Sequence, residues 1–284
     1  MSDVHPFGPA EAATFIRVPT AGDDKYSRGV LGMITGSQRY PGAAVLGVEA
    51  ALRTGVGMVR YLGAARAAEF VMQRRPEAVS AEGRVQAWVL GSGMDAGAAD
   101  ASAELPADVT AGARLRAALA SGHPLVIDAG ALDAVERATG PVIITPHARE
   151  LARLLQVDVE RVRADPLAAA HEAAVRFDVA VLIKGHATHV MAPDGAVFVA
   201  RSAPPWLATA GAGDALAGIL GALVSTHAAA GPLDTCLLAR LGATAAVVHG
   251  LAAHRASAGG PLTVLDVCAA IPATIAALLR AEYS

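Results

Sequence analysis

The chain has 284 residues, 54% of them hydrophobic and 4% aromatic, and a formal net charge of −3. That length fits one large domain or two small ones, and the charge leaves no basic footprint for nucleic acid. The apolar excess is mostly alanine, and no apolar run reaches the roughly 20 residues of a membrane span. The start, MSDVHPFGPAEAATF, has no basic segment followed by an apolar stretch, so no secretory signal is expected. Cys236 and Cys268 lack CxxC spacing and read as reduced thiols without a disulfide or metal. The expectation is a soluble cytoplasmic protein that does not engage a membrane.

VLGMITG (30–36) predicts a strand, and Pro41 to Arg53 a helix. Pro41 suits a first helical turn, where its missing N–H costs nothing. Further strands are predicted at 57–62, 87–91, 124–129, 141–146 and 179–185, separated by helices at 64–73, 110–121, 147–156 and 166–177. Continuous apolar strands alternating with helices predict a mostly parallel sheet covered on both faces. Residues 188–200 predict a hairpin turning at Asp194-Gly195. The remainder reads as helix over 213–227, 233–256 and 266–281, with Pro232 and Pro261 at the joins. Residues 95–109 are small and acidic and read as a surface loop with some helix. Without repeats or a long linker, one compact α/β domain is expected.

In such sheets the ligand lies beyond the carboxyl ends of the strands. Five clusters follow predicted strands: GSQRYPGAA (36–44), GSGMDAG (91–97), DAGAL (128–132), TPHARE (145–150) and KGHAT (184–188). A sixth, TAGAGDALAGILG (209–221), opens a helix. Gly211, Ala212 and Gly213 leave backbone N–H groups unshielded at the positive end of its dipole, which makes an anion hole. Asp214 in the first turn would repel a phosphate, which suggests a proton acceptor beside a transferring phosphoryl group. The alternative is a helix-capping carboxylate. Lys184 sets an ammonium where it can face phosphate oxygens, and Gly185, His186, Ala187 and Thr188 would lie along a nucleotide. The plain alternative for Lys-Gly is a turn. Glycine and small residues in GSQRYPGAA let backbone approach a ligand closely, or simply turn strand into helix. GSGM is a weak signal, and neither GxGxxG nor GxxxxGK[ST] occurs. His147 opens a helix that Thr145 could cap with Glu150 completing the arrangement. It would hydrogen-bond a ligand phosphate or amide, or serve only as a solvated cap. His171, His227, His249 and His254 lie on helices without metal-ligand spacing and read as core or surface residues.

Taken in order, GVLGMITGSQRYPGAAVLGVEAALRTGVGMVRYL, VLGSGM, VIDAGAL, IITPHARELARLL, IKGHAT and LATAGAGDALAGILGAL resemble the ADP-dependent NAD(P)H-hydrate dehydratases of the ribokinase-like superfamily. The resemblance spans about residues 25–280. It implies a three-layer α/β/α fold with a sheet of nine or ten strands and no separate lid. It also implies repair of NADHX and NADPHX, the hydrated forms of the reduced nicotinamide cofactors. A nucleoside phosphate phosphorylates the ring hydroxyl, and loss of phosphate restores the double bond. Bacterial members use ADP and release AMP, eukaryotic ones prefer ATP, and the family requires Mg²⁺. Asp214 matches the aspartate that takes the hydroxyl proton, and Gly213 with its neighbours the group that binds the transferred phosphate. Lys184 through Thr188 match the nucleotide segment. Ala43, Gly93 and His147 match positions contacting the hydrated cofactor. Bacterial relatives often form tetramers.

Two departures stand out. Where the family has a second acidic residue, DAGAL carries Gly130, although Asp128 remains and could position water or Mg²⁺. TAGAGD replaces GTGGSGD and approaches the GAGD of sugar kinases. With few residues before the first motif, no N-terminal epimerase domain is expected, so action on the S epimer would depend on a separate epimerase. The competing readings are a hydroxyethylthiazole-type or hydroxymethylpyrimidine-type kinase, and a nucleotide sensor without turnover.

Overall fold

The structure is a computed structural model that describes residues 4–96, 109–185 and 187–283. Most of the segment 95–109 therefore lies outside the described residues, as does His186. Nine strands form one sheet: β1 (Val4–Pro6), β2 (Val30–Ile34), β3 (Met58–Tyr61), β4 (Ala87–Leu90), β5 (Leu125–Ile127), β6 (Val142–Ile144), β7 (Ala180–Ile183), β8 (Thr188–Met191) and β9 (Val197–Ala200). Their order is β1-β9-β8-β7-β6-β5-β4-β2-β3, and β8 alone runs against its neighbours. The β8–β9 hairpin turns through Asp194-Gly195 as expected, with Gly195 at φ 89 and Asp194 Oδ1 accepting from Ala196 N at 2.9 Å.

Among the described residues ten α-helices accompany the sheet: α1 (Pro9–Thr14), α2 (Pro41–Thr54), α3 (Ala65–Arg74), α4 (Val109–Leu119), α5 (Ala148–Leu155), α6 (Val159–Ala164), α7 (Pro166–Phe177), α8 (Ala212–Ala228), α9 (Thr235–Ser257) and α10 (Val264–Leu279). Apolar strand residues alternate between two cores, because successive side chains point to opposite faces. Val89, Val126, Ile143, Ala180 and Leu182 join α2, α3, α8, α9 and α10 on one face. Leu90, Leu125, Ile127, Ile144, Val181 and Ile183 join α4, α5 and α7 on the other. The result is the mostly parallel, three-layer α/β/α arrangement that the sequence predicts.

Helix α8 is buried on all sides from Ala215 to Ser225, as befits a helix that is apolar all round. It approaches α2 so closely that a Cβ at Gly218 would lie 2.2 Å from the carbonyl oxygen of Gly47. Helix α9 is long and apolar enough to cross a membrane by length and composition, although polar residues interrupt its apolar run. Within that helix 78% of the most apolar window is buried inside the protein, so it serves as a core helix.

Five described elements do not follow from the patterns above: β1, α1, α6 and the 3-10 helices Ala129–Arg137 and Pro205–Leu207. Strand β1 extends the sheet edge beside β9, and Phe7 packs on Phe15 and Phe198 with ring centroids 6.1 and 5.6 Å away. Residues Ala129–Arg137 wind as a 3-10 helix, and α6 forms a turn and a half capped by Asp158.

Candidate active site

Order reverses at β2, which has β3 on one side and β4 on the other. Ligand crevices of open α/β sheets form at such switch points, beyond the carboxyl ends of the strands. Here the five strand-end clusters meet. Gly36 N donates to Ser92 O at 2.6 Å, joining the ends of β2 and β4. Ser92 Oγ donates to Asp128 Oδ2 at 2.9 Å, and Thr145 Oγ1 to Asp128 Oδ1 at 2.8 Å. Lys184 Nζ completes the set at 2.7 Å from Asp128 Oδ1. Asp128 is thus a hub held by the ends of β4, β6 and β7.

Thr145 is therefore engaged below the rim and does not cap α5. The cap is His147, whose Nδ1 accepts from Glu150 N at 3.2 Å while Glu150 Oε2 accepts from His147 N at 2.8 Å. The reciprocal arrangement expected of a Thr145 cap is present, moved to a histidine that sits close enough to reach its own N3 position. Glu150 also comes within 3.9 Å of Lys184 Nζ. The His147 ring is exposed at the rim.

Lys184 is a half-buried cation among carboxylates. Burial opposes its charge, but Asp128 and then Glu150 and Asp214 outweigh that cost and hold its pKa above the ordinary value. Asp214 shows the opposite imbalance. Burial first, and then repulsion from Asp128, push its carboxyl up to about 6, with Lys184 offsetting only part of the rise.

Asp214 occupies the first turn of α8, behind Gly211 at φ 90. Glycine takes that left-handed conformation without steric cost, and a Cβ there would lie 2.4 Å from Leu46 Cδ1. Ala212 N donates to Thr209 O at 3.3 Å. Among the described residues the N–H groups of Gly213 and Asp214 have no such partner. Gly213 faces the ammonium directly, since a Cβ on it would lie 3.6 Å from Lys184 Nζ. Lysine, helix end and carboxylate thus converge on one small volume.

On one side of this group lies a cavity of about 490 Å³. Lys184, Gly185 and Thr188 line it together with Ala212, Gly213 and Leu216 of α8, and His249 of α9 forms part of its wall. Ala203, Pro204, Pro205, Leu207 and Ala208 supply a further wall, which no sequence motif announces. Its lining is mostly apolar, as small-ligand sites usually are. On the other side, at the β2/β4 switch, Gly93 packs against Ala43: a Cβ on Gly93 would lie 2.2 Å from that of Ala43. Gly93 is left-handed at φ 67 and brings the 91–94 turn onto the start of α2. Ala43 and Gly93 are therefore neighbours although 50 residues apart in the chain.

Gly130 also has a steric reason. A Cβ there would lie 2.3 Å from Asp95 O and 2.5 Å from Met94 O, so an aspartate could not enter without moving that backbone. No group of three His, Cys, Asp or Glu side chains suited to a metal forms among the described residues. Cys236 and Cys268 are free thiols.

The mostly parallel nine-stranded sheet with helices on both faces is a ribokinase-like fold. Two solved structures share that fold. The Bacillus subtilis ADP/ATP-dependent NAD(P)H-hydrate dehydratase co-crystallised with ATP/Mg²⁺ superposes with a TM-score of 0.80 at 23% identity, covering 98% of this chain and 100% of that one. A ribokinase-like superfamily protein from Enterococcus faecalis gives 0.80 at 22% identity, covering 97% and 96%. The family described as NAD(P)H-hydrate dehydratase matches residues 31–271, and the chain belongs to it. The ADP-dependent (S)-NAD(P)H-hydrate dehydratase of Xanthomonas campestris is 36% identical over 215 residues, which are 72% of this chain and 74% of that protein. The bifunctional NAD(P)H-hydrate repair enzyme Nnr of Mycobacterium leprae is 38% identical over 236 residues, 79% of this chain and 46% of that protein. The chain thus spans about half the length of the bifunctional relatives it matches.

Proposed function

We propose that the protein dehydrates (S)-NADHX and (S)-NADPHX to NADH and NADPH at the expense of ADP, giving AMP and phosphate. The observation that carries this reading is Asp214, a half-buried carboxyl pushed up to about 6, at the open end of α8 beside the Lys184 ammonium. A general base works best with a pKa near the operating pH. In the proposed reaction Asp214 accepts the proton of the ring hydroxyl as its oxygen attacks the β-phosphorus of ADP. The bond to the α-phosphate oxygen breaks and AMP leaves. Loss of phosphate from the ring, with the neighbouring C–H proton, then restores the double bond. The sum is hydrated cofactor plus ADP to reduced cofactor, AMP and phosphate.

The N–H groups of Gly213 and Asp214 and the Lys184 ammonium would stabilise charge on the transferring group, the main protein contribution in phosphoryl transfer. Gly185 and Thr188 would run along the nucleotide in the 490 Å³ cavity that they line. Ala43, Gly93 and His147 would contact the hydrated cofactor from the switch-point side. Asp128, already accepting from Ser92, Thr145 and Lys184, would position Lys184. Mg²⁺ commonly binds through substrate phosphates and few carboxylates and would neutralise phosphate charge when bound. A homotetramer and a cytoplasmic location rest on the family relationship alone. Product analysis tests the reading: AMP and free phosphate formed in equal amounts with reduced cofactor support it. A stable phosphorylated alcohol would favour a kinase, and nucleotide binding without turnover a sensor.

A further inference from the structure

We propose that His249 recognises the nucleotide base, offering a side-chain hydrogen-bonding group on the apolar wall of the cavity. The inference rests on the reading that a nucleotide occupies that cavity. His249 lies in the middle of α9 and is only 6% exposed. It lines the same cavity as Lys184 and Gly213, yet its Nε2 has no hydrogen-bond partner. A buried nitrogen left unpaired costs free energy, and native proteins rarely keep one without a use.

The surroundings explain why the nitrogen is unpaired. Next to it, Gly250 lets the 202–203 backbone press on α9, since a Cβ at Gly250 would lie 2.5 Å from the Ser202 carbonyl. That segment continues into Pro204, Pro205, Leu207 and Ala208, which face the cavity with Ala246. Two prolines carry no N–H, and the alanine and leucine side chains offer no polar group. An aromatic base fits such walls, and its edge would supply the missing partner. Burial pushes the His249 ring down to about 4, so it stays neutral and presents one donor and one acceptor nitrogen. A neutral ring offers a phosphate one N–H and no charge, whereas a base edge, with both donors and acceptors, can pair with either ring nitrogen.

Calorimetric binding of ADP and of ribose 5-diphosphate, which lacks the base, tests this on wild type, His249→Leu and His249→Gln. His249→Leu should weaken ADP about 3-fold to 10-fold, the value of one neutral hydrogen bond, and leave ribose 5-diphosphate unchanged. His249→Gln should recover part of the loss. Since His249→Leu breaks no bond in the free protein, its Tm should hold or rise. Equal weakening of both ligands, or no weakening of ADP, would overturn the assignment. Failure of wild type to bind ADP would overturn the nucleotide reading itself, and this inference with it.

Discussion

Asp214 joins two properties that work against each other, and both can be measured. Its pKa is raised from 3.8 to about 6 by burial and by Asp128, so the native state holds a proton that the unfolded chain has released. Stability is therefore full below the unfolded value, falls as pH rises through that window, and stays reduced above it. Asp214→Asn should accordingly raise stability by about 2–3 kcal/mol above about pH 6, read from chemical denaturation at several pH values. The same substitution removes the proposed base, so turnover should fall by orders of magnitude while ADP binding survives; unchanged turnover would contradict the base role. For the wild type, kcat/KM should decline as pH drops below about 6, where the carboxyl becomes protonated. Asp214, Gly213 and Lys184 were legible in the sequence because each is adjacent to a helix start or a strand end. Local spacing offers Thr145 as a cap because it cannot show that its hydroxyl donates to Asp128 at 2.8 Å. His249 carried no signal at all, for a histidine in an apolar helix reads the same in a core as in a cavity wall.

Among the elements, α2 and α8 fix the site by close approach and by one buried charge. Glu49 of α2, fully buried, accepts from Arg53 of α2 and from Arg74 and Arg75 at the end of α3. Burial would raise its pKa, but hydrogen bonds from Arg75 and Arg53 overcome it and hold the carboxyl at about 2 against 4.5. This contribution is present above the unfolded value and is lost as pH falls through the folded one. Glu49→Ala should cost about 3–5 kcal/mol, since it strands paired guanidinium groups, and the denaturant midpoint at neutral pH reports it. Gly218→Ala should cost about 1–3 kcal/mol through overpacking of α8 on α2, with the 2.2 Å approach to Gly47 O as its cause; an unchanged midpoint would show that the helices separate freely. Predicted strands and helices appear wherever an apolar run or a 3.6-residue period lasts long enough. Helix α6 and the 129–137 turn are too short to show one, and β1 has only three exposed residues. Strand β1 is fixed instead by pairing with β9, a long-range fact absent from local pattern.

For the molecule as a whole, the sheet gathers distant segments at one rim. Residues 36, 92, 128, 145 and 184 are linked there by a continuous hydrogen-bonded chain. The sequence predicted this convergence from the rule that ligands bind beyond the carboxyl ends of parallel strands. It did not predict the wall at 203–208, which forms only when the segment after β9 folds back over α9. The most direct test follows the near-ultraviolet absorbance of reduced nicotinamide while the protein meets (S)-NADHX, Mg²⁺ and ADP. A rise that requires ADP and yields AMP in equal amount is the expected result. No rise with ADP or ATP would contradict the repair reaction.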